Sequence, residues 1–127
     1  MDAAVVVDAD DWVRAAMASC LRREGFSVVE ASDGRTGATA CATAGTRAVV
    51  IELDLPDMSG VELCRDVRAA LGPDPVILLV AGFGSAADVA GGRDAGSDGF
   101  LVKPFDCSTL ARAIRAARAN RGQPPQA

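Results

Sequence analysis

Charged residues follow three separate apolar runs of the sequence. Asp8 follows three valines, Glu52 follows Val-Val-Ile, and Lys103 follows Phe-Leu-Val. Short apolar runs rich in β-branched residues favour buried strands. The carboxyl ends of parallel strands share one edge of a sheet, where open α/β folds place their binding sites. We therefore expect these three charges to lie close together.

The acidic turns around these residues suggest two kinds of chemistry. Asp10 follows Asp8 closely, and Asp54 lies two residues beyond Glu52. Grouped carboxylates are the ligands that Mg²⁺ prefers, and a nearby lysine can neutralise a carboxylate or hold a phosphoryl oxygen. The alternative is a buried ion pair between Glu52 and Lys103 that performs no chemistry. In either case we expect the two charges to be paired, because an unpaired buried charge is costly.

Lys103 is also the only lysine beside twelve arginines. Lysine carries a compact point charge, whereas arginine carries a planar fork of donors. One interpretation is a narrow slot that requires an ammonium group, and the other is chance.

Strand and helix signals alternate along the whole chain. Apolar runs predict five strands, and helical periodicity, capping residues and breakers predict a helix after each of them. The expected strands cover residues 4–7, 26–31, 47–53, 76–80 and 98–102. The expected helices cover residues 11–24, 36–44 and 60–71, a segment after Ser85 that contains Gly91-Gly92, and residues 107–120. Strict alternation predicts a doubly wound α/β domain with a parallel sheet between two helical layers.

Length and composition exclude several classes of protein. The 127 residues fit one domain, at residues 1–120, followed by a polar segment at 121–127 that we interpret as a flexible tail or the start of a linker. A net charge of −4 predicts no direct contact with nucleic acid or an anionic membrane. The chain has no histidine and no apolar stretch of membrane-spanning length, and its start lacks the features of a signal peptide. We expect a cytoplasmic protein whose four scattered cysteines are buried structural thiols.

A rival site is the loop Gly82-Phe83-Gly84-Ser85, which precedes the fourth predicted helix. Its backbone N–H groups could face an anion, although short loops of this composition are also common connectors. The turn after the first strand is acidic rather than glycine-rich, which argues against a flavin or dinucleotide site.

Four motifs give the chain a specific resemblance to a known family. They are the acidic turn after the first strand, Leu55-Pro56 with Gly60, the stretch from Ala95 to Phe100, and Lys103-Pro104-Phe105. Over residues 4 to about 119 the chain resembles the receiver domain of bacterial response regulators. The resemblance implies a flavodoxin-like fold with strand order 2-1-3-4-5 and a cis Lys103-Pro104 peptide. It also implies signalling by transfer of a phosphoryl group from a histidine kinase to an aspartate, with Mg²⁺ bound nearby.

The sequence departs from that pattern at several matched positions. The position of the acceptor aspartate holds Glu52, and the second residue of the acidic pair is Ala9 rather than an acid. The hydroxyl position after the fourth strand is Val80, and the aromatic residue that moves with it is Phe100. Of the expected functional groups, Asp8 and Lys103 remain.

These departures predict an atypical receiver that signals by protein interaction without phosphorylation and is not an enzyme. We expect no cofactor, or weak Mg²⁺ binding through Asp8 and Asp10. Two alternatives stay open: a phosphate-accepting receiver that uses Asp54 with Mg²⁺, and a flavodoxin-like domain that binds a small molecule near Gly82–Ser85.

A partner surface is expected where the fourth helix, the fifth strand and the last helix meet. It would bind an effector domain or a second copy of the chain, and the charged residues expected there are Arg93, Asp94, Asp98, Arg112 and Arg115.

Overall fold

A computed structural model describes residues 2–43 and 45–121 of the chain. Five parallel strands form one sheet in the order β2-β1-β3-β4-β5, so the predicted fold class and strand order are confirmed. The strands are β1 Ala3–Val7, β2 Ser27–Ala31, β3 Thr46–Glu52, β4 Val76–Ala81 and β5 Gly99–Val102. The helices are α1 Asp11–Arg23, α2 Gly34–Cys41, α3 Gly60–Leu71, α4 Ala86–Ala95 and α5 Cys107–Arg121. Residues 122–127, which include most of the predicted tail, lie outside the described residues.

The three central strands are apolar because both faces of the sheet are covered. β1 pairs with β2 and β3, and β3 pairs with β4, all in parallel. Alternate side chains therefore enter two separate cores. Val6, Val50 and Leu78 join the core that contains residues of α1 and α5, whereas Ile51 and Leu79 join the core that contains residues of α3. The register places Glu52 directly opposite Val80 at the end of the sheet.

Local capping interactions explain where the helices begin. Asp10 caps α1, because its carboxylate accepts hydrogen bonds from the N–H groups of Trp12 and Val13. Ser85 and Asp88 form the expected reciprocal capping box at the start of α4.

Helix α2 lies two residues earlier than predicted and is shorter. Asp33 caps it by accepting the N–H of Thr36, and Asp57, from the loop after β3, accepts the N–H groups of Gly34 and Arg35. The second cap comes from a residue distant in sequence, so the local pattern did not predict it. The other predicted boundaries agree with the structure to within two residues.

The two adjacent glycines of α4 have different surroundings. A Cβ atom at Gly92 would lie 2.6 Å from Cδ1 of Leu79, whereas one at Gly91 would meet nothing within 4 Å. Gly92 therefore permits close packing of α4 on β4, and Gly91 has no such packing role.

No helix within residues 2–43 and 45–121 has both the length and the apolar character needed to cross a bilayer.

Candidate functional site at the carboxyl edge of the sheet

Lys103 joins two acidic residues at the carboxyl edge of the sheet. Its Nζ lies 2.8 Å from Oδ2 of Asp8, and it also forms an ion pair with Oε2 of Glu52. Both acids are almost inaccessible to solvent: Asp8 is 2% exposed and Glu52 is 7% exposed. The structure thus brings together the three charges that the strand ends predicted.

Backbone N–H groups and the side chain of Arg14 donate hydrogen bonds to the other oxygen atoms of Asp8 and Glu52. Oδ1 of Asp8 accepts the N–H of Asp10 at 2.9 Å, and the carbonyl oxygen of Asp8 accepts a hydrogen bond from Arg14 at 2.9 Å. Oε1 of Glu52 accepts the N–H of Asp54 at 3.4 Å. Each acid therefore uses one oxygen for Lys103 and the other for the backbone of its own turn.

The pKa of Lys103 reflects a balance between burial and these acids. Burial alone would lower this pKa, but the hydrogen bonds and charges of Asp8 and Glu52 outweigh burial and raise it above its usual 10.5. The lysine is therefore charged at neutral pH. Because the pKa is raised on folding, the stabilisation is complete below about pH 10.5 and is lost as the pH rises further.

The other predicted acids do not contact Lys103. The carboxylate of Asp10 caps α1, and Asp54 is exposed in the loop after β3, where its backbone pairs with Ser59. Ala9, where the family pattern implies an acid, is exposed and carries no ligand atom on its side chain. Within the described ranges, no group of three or more histidine, cysteine, aspartate or glutamate residues could hold a metal ion.

The β4 side of the edge is apolar. Val80 is fully buried in the core that contains residues of α1 and α5, and its carbonyl oxygen accepts the N–H of Leu53 at 2.8 Å. Phe100 is half-buried against the opposite core, and its ring leaves no room for a Cβ atom at Gly84. The rival loop thus packs on Phe100 through Gly84, while the neighbouring Phe83 is 78% exposed.

The peptide between Lys103 and Pro104 is cis, as the resemblance implied. The loop that follows β5 leads into α5 at Cys107. Asp106 caps this helix: its carboxylate accepts hydrogen bonds from the N–H of Thr109 and from two hydroxyl groups, which lower the pKa of Asp106.

The expected environment of the cysteines is wrong for two of the four. Cys41 and Cys64 are buried free thiols as predicted, but Cys20 of α1 and Cys107 of α5 form a disulfide. These two residues are 87 positions apart, and the sequence offered no spacing signal for the pair.

Two residues of the predicted partner surface are engaged within the chain. Asp98 pairs with Arg68 of α3 at 3.0 Å and accepts the N–H of Ile77, and Arg115 pairs with Glu24 at the end of α1. Arg93, Asp94 and Arg112 are exposed.

A five-stranded parallel sheet in this order, with an acid–lysine cluster at its carboxyl edge, defines a class of small α/β signalling domain. The model of the response regulator receiver domain matches residues 4–115, and the chain belongs to this family. Receiver domains are the signal-receiving part of response regulators.

Two curated relatives and one solved structure show the range of the similarity. The chain is 37% identical to response regulator MprA of Mycolicibacterium vanbaalenii over 88% of its own length and 48% of that protein. It is 33% identical to the DNA-binding response regulator MtrA of Mycolicibacterium smegmatis over 96% of its length and 53% of that protein. The beryllofluoride-activated NtrC4 receiver domain dimer shares the fold, with a TM-score of 0.86 and 23% identity over 96% of this chain and all of that one. The chain therefore spans about half the length of the curated relatives it matches.

Proposed function

We propose that this receiver domain acts as a protein-interaction module whose conformation is set by the cluster Asp8–Lys103–Glu52, without transfer of a phosphoryl group. The observation that carries the proposal is the contact of one half-buried ammonium group with two buried acids. A receiver that accepts phosphate needs a carboxylate free to attack. Here the oxygens of Glu52 are engaged by Lys103 and by the backbone of Asp54.

The donor set does not fit Mg²⁺ well, which supports the same proposal. Asp8 is committed to Lys103 and the backbone, Ala9 supplies no oxygen from its side chain, and Asp10 caps α1. A hard cation prefers several oxygen ligands on one side of the ion. We therefore propose no resident cofactor, with weak Mg²⁺ binding through Asp8 and Asp10 as the most that this edge offers.

The chain also lacks the hydroxyl group that would bind an added phosphoryl group in the family pattern. A hydroxyl group at the end of β4 would bind an added phosphoryl oxygen, but Val80, at that position, is fully buried and has no polar atom on its side chain. Phe100 is packed against the core that contains residues of α3. We infer that the cluster fixes one conformation of the domain rather than switching between two.

The surface that would carry the signal is proposed on α4, β5 and α5. Arg93, Asp94 and Arg112 give it exposed charges of both signs. The NtrC4 receiver domain forms a dimer, and MtrA is a DNA-binding response regulator, so a second copy or an effector domain is the partner we propose. Transcription regulation by a longer cytoplasmic parent protein would follow from such a partner.

The first experiment tests whether the chain accepts phosphate. The purified protein is incubated with Mg²⁺ and acetyl phosphate, its intact mass is measured, and the fluorescence of Trp12, which follows the acidic turn, reports metal binding. We expect neither a phosphoryl adduct nor a saturable fluorescence change. The matched control is the double variant A9D/E52D, which restores both acids that the family pattern implies and is expected to gain one phosphoryl group.

A second set of variants separates the alternatives. An adduct on the wild-type protein that is lost in Asp54→Asn would overturn the proposal in favour of a displaced acceptor, because Asp54 is the exposed carboxylate nearest Glu52 in sequence. Glu52→Gln is expected to lower stability and weaken partner binding. If it changes neither, the cluster does not set the conformation.

The small-molecule alternative has less support. An apolar groove of about 210 Å³ lies between α1 and the start of α5, lined by residues that include Met17 and Phe105, and not by the loop Gly82–Ser85 where that alternative expects a pocket.

A further inference from the structure

The four cysteines form two pairs in opposite environments. Cys41 and Cys64 are buried and free, and burial raises their pKa values to about 12 and about 11. Cys20 and Cys107 are partly exposed and bonded, with their Cα atoms 5.5 Å apart. Both line the apolar groove between α1 and α5 on one side and a second groove lined by Arg23 and Arg112 on the other. Dissolved reagents can therefore reach this pair, whereas the buried pair is shielded.

The surroundings of Cys107 favour the reactive form of a thiol. Cys107 is the first residue of α5, where the helix dipole stabilises negative charge, and the guanidinium group of Arg23 donates to its Sγ at 3.1 Å. The neighbouring acids are engaged elsewhere: Asp106 caps α5, and Glu24 pairs with Arg115. Reduced Cys107 would thus face a cation and a helix N-terminus, the setting in which thiols ionise readily.

Cys20 differs in both respects. It lies in the last turn of α1 rather than at a helix N-terminus, the Arg23 hydrogen bond goes to Cys107 and not to Cys20, and Cys20 packs against the core that contains Leu110 and Ile114. The pair therefore has one thiol suited to attack external partners and one suited to close the bond.

We propose that Cys107 and Cys20 form a reversible thiol–disulfide site, in which Cys107 exchanges with a dissolved disulfide or dithiol and Cys20 resolves the intermediate. The cytoplasmic location expected from the sequence supports reversibility, because disulfides in that compartment are usually transient and redox-sensing. The bond ties α1 to α5 four residues after Lys103, so its reduction removes the covalent link between α1 and the start of α5, while the shared core still holds the two helices together. This proposal does not rest on the proposed function of the charged cluster.

The chemistry balances as two exchange steps. In oxidation, the Cys107 thiolate attacks a disulfide RSSR, forms a mixed disulfide with one RS group and releases the other as RS⁻. The Cys20 thiolate then attacks the Cys107 sulfur and releases the second RS⁻. The two protons of the protein thiols end on the two RS groups, so RSSR is reduced by two electrons to two RSH. A dithiol reverses both steps and is itself oxidised to a disulfide.

The test equilibrates the full chain in buffers with different ratios of reduced to oxidised glutathione. Free thiols are trapped by alkylation under native conditions and counted by intact mass. We expect two thiols to appear and disappear reversibly, while Cys41 and Cys64 remain unmodified until the chain is unfolded. A bond that stays closed at every glutathione ratio would overturn the proposal, because it would then be a structural disulfide.

Variants test the assignment of the two roles. Cys20→Ser should accumulate the mixed disulfide of Cys107 with glutathione, whereas Cys107→Ser should form little. In the reduced wild-type protein, Cys107 should react with iodoacetamide about tenfold faster than Cys20 at neutral pH. Arg23→Gln should remove most of that difference, and Arg22→Gln, which changes an arginine bound to Glu30 instead, should leave it intact. Equal reactivity of the two thiols, or no effect of Arg23→Gln, would contradict the role given to Cys107.

Discussion

The carboxyl edge of the sheet has two halves that hold their side chains in different ways. In the charged half, Lys103, after β5, binds the two buried acids at the ends of β1 and β3. In the apolar half, Val80 of β4 is buried among apolar side chains, and Phe100 of β5 packs against Gly84. The first half depends on charge pairing and the second on close packing. A chemical signal that reached the charged half would meet no polar side chain at Val80 through which to act on the β4 half.

The largest expected effect is the removal of the cation from the charged half. Lys103→Met leaves Asp8 and Glu52 buried without a positive partner, and breaking such a pair costs about 3 kcal/mol. We expect a loss of this size in the free energy of unfolding at pH 7, measured by denaturant titration. Lys103→Arg is the control that keeps the charge but changes its shape.

The pH dependence of this loss identifies its cause. The difference between wild type and Lys103→Met should shrink as the pH rises beyond about 10.5, where the wild-type lysine loses its charge. The chain has no other lysine and no tyrosine, and the two buried thiols that titrate in this range are common to both proteins and cancel in the difference. A difference that stays constant with pH would mean that lost packing, rather than lost charge, destabilises the variant.

The next effect probes close packing over β4. Gly92→Ala places a methyl group 2.6 Å from the side chain of Leu79, and overpacking of this kind costs about 2 kcal/mol. Gly91→Ala is the matched control, because nothing lies near its Cβ position and alanine favours the helix by about 1 kcal/mol. Thermal unfolding should show changes of opposite sign. Equal changes would mean that α4 is not packed on Leu79 as described.

The next prediction tests whether the apolar half tolerates a buried polar group. Val80→Thr has nearly the same shape but buries a hydroxyl group, and we expect a cost of about 1–2 kcal/mol. Val50→Thr, at the centre of the sheet on the same face, provides the comparison. If Val80→Thr does not lower the free energy of unfolding while Val50→Thr does, the sheet edge already provides a hydrogen-bond partner for the hydroxyl group. The apolar half would then be less apolar than described above.

The charged half was predictable to the extent that it depends on strand ends. Asp8, Glu52 and Lys103 converge because parallel strands place their carboxyl ends at one edge, and this needs only the strand assignments. The sequence did not predict which of the nearby acids would contact Lys103. The carboxylate of Asp10 accepts hydrogen bonds from N–H groups of α1 and does not contact Lys103. Cap choice of this kind depends on the local turn rather than on residue type.

Contacts between residues distant in sequence account for most of what the sequence did not reveal. Asp98 was expected on the partner surface, but the fold brings it to Arg68, 30 positions away. The second cap of α2 comes from Asp57, 23 positions beyond Gly34. The disulfide pair is another case, because four cysteines allow six different single disulfides and spacing alone favours none of them. Such contacts follow from how the layers pack and leave no local pattern.

The smallest expected effect compares the buried charges of the charged half with an exposed charge nearby, the carboxylate that caps α2. Asp57 is exposed, and the N–H groups of Gly34 and Arg35 lower its pKa below the usual 3.8. Its stabilising effect is therefore present above about pH 4 and is lost as the pH falls through the lowered pKa. Asp57→Asn should cost little at neutral pH, and the cost should vanish at acid pH, as followed by denaturation midpoints across the acid range. Asp54→Asn, in the same exposed loop but capping no helix, is the matched control for the loss of one exposed carboxylate at neutral pH. A cost for Asp57→Asn that grows on acidification would contradict the charged cap, because the wild-type carboxylate loses its charge there and the asparagine does not change.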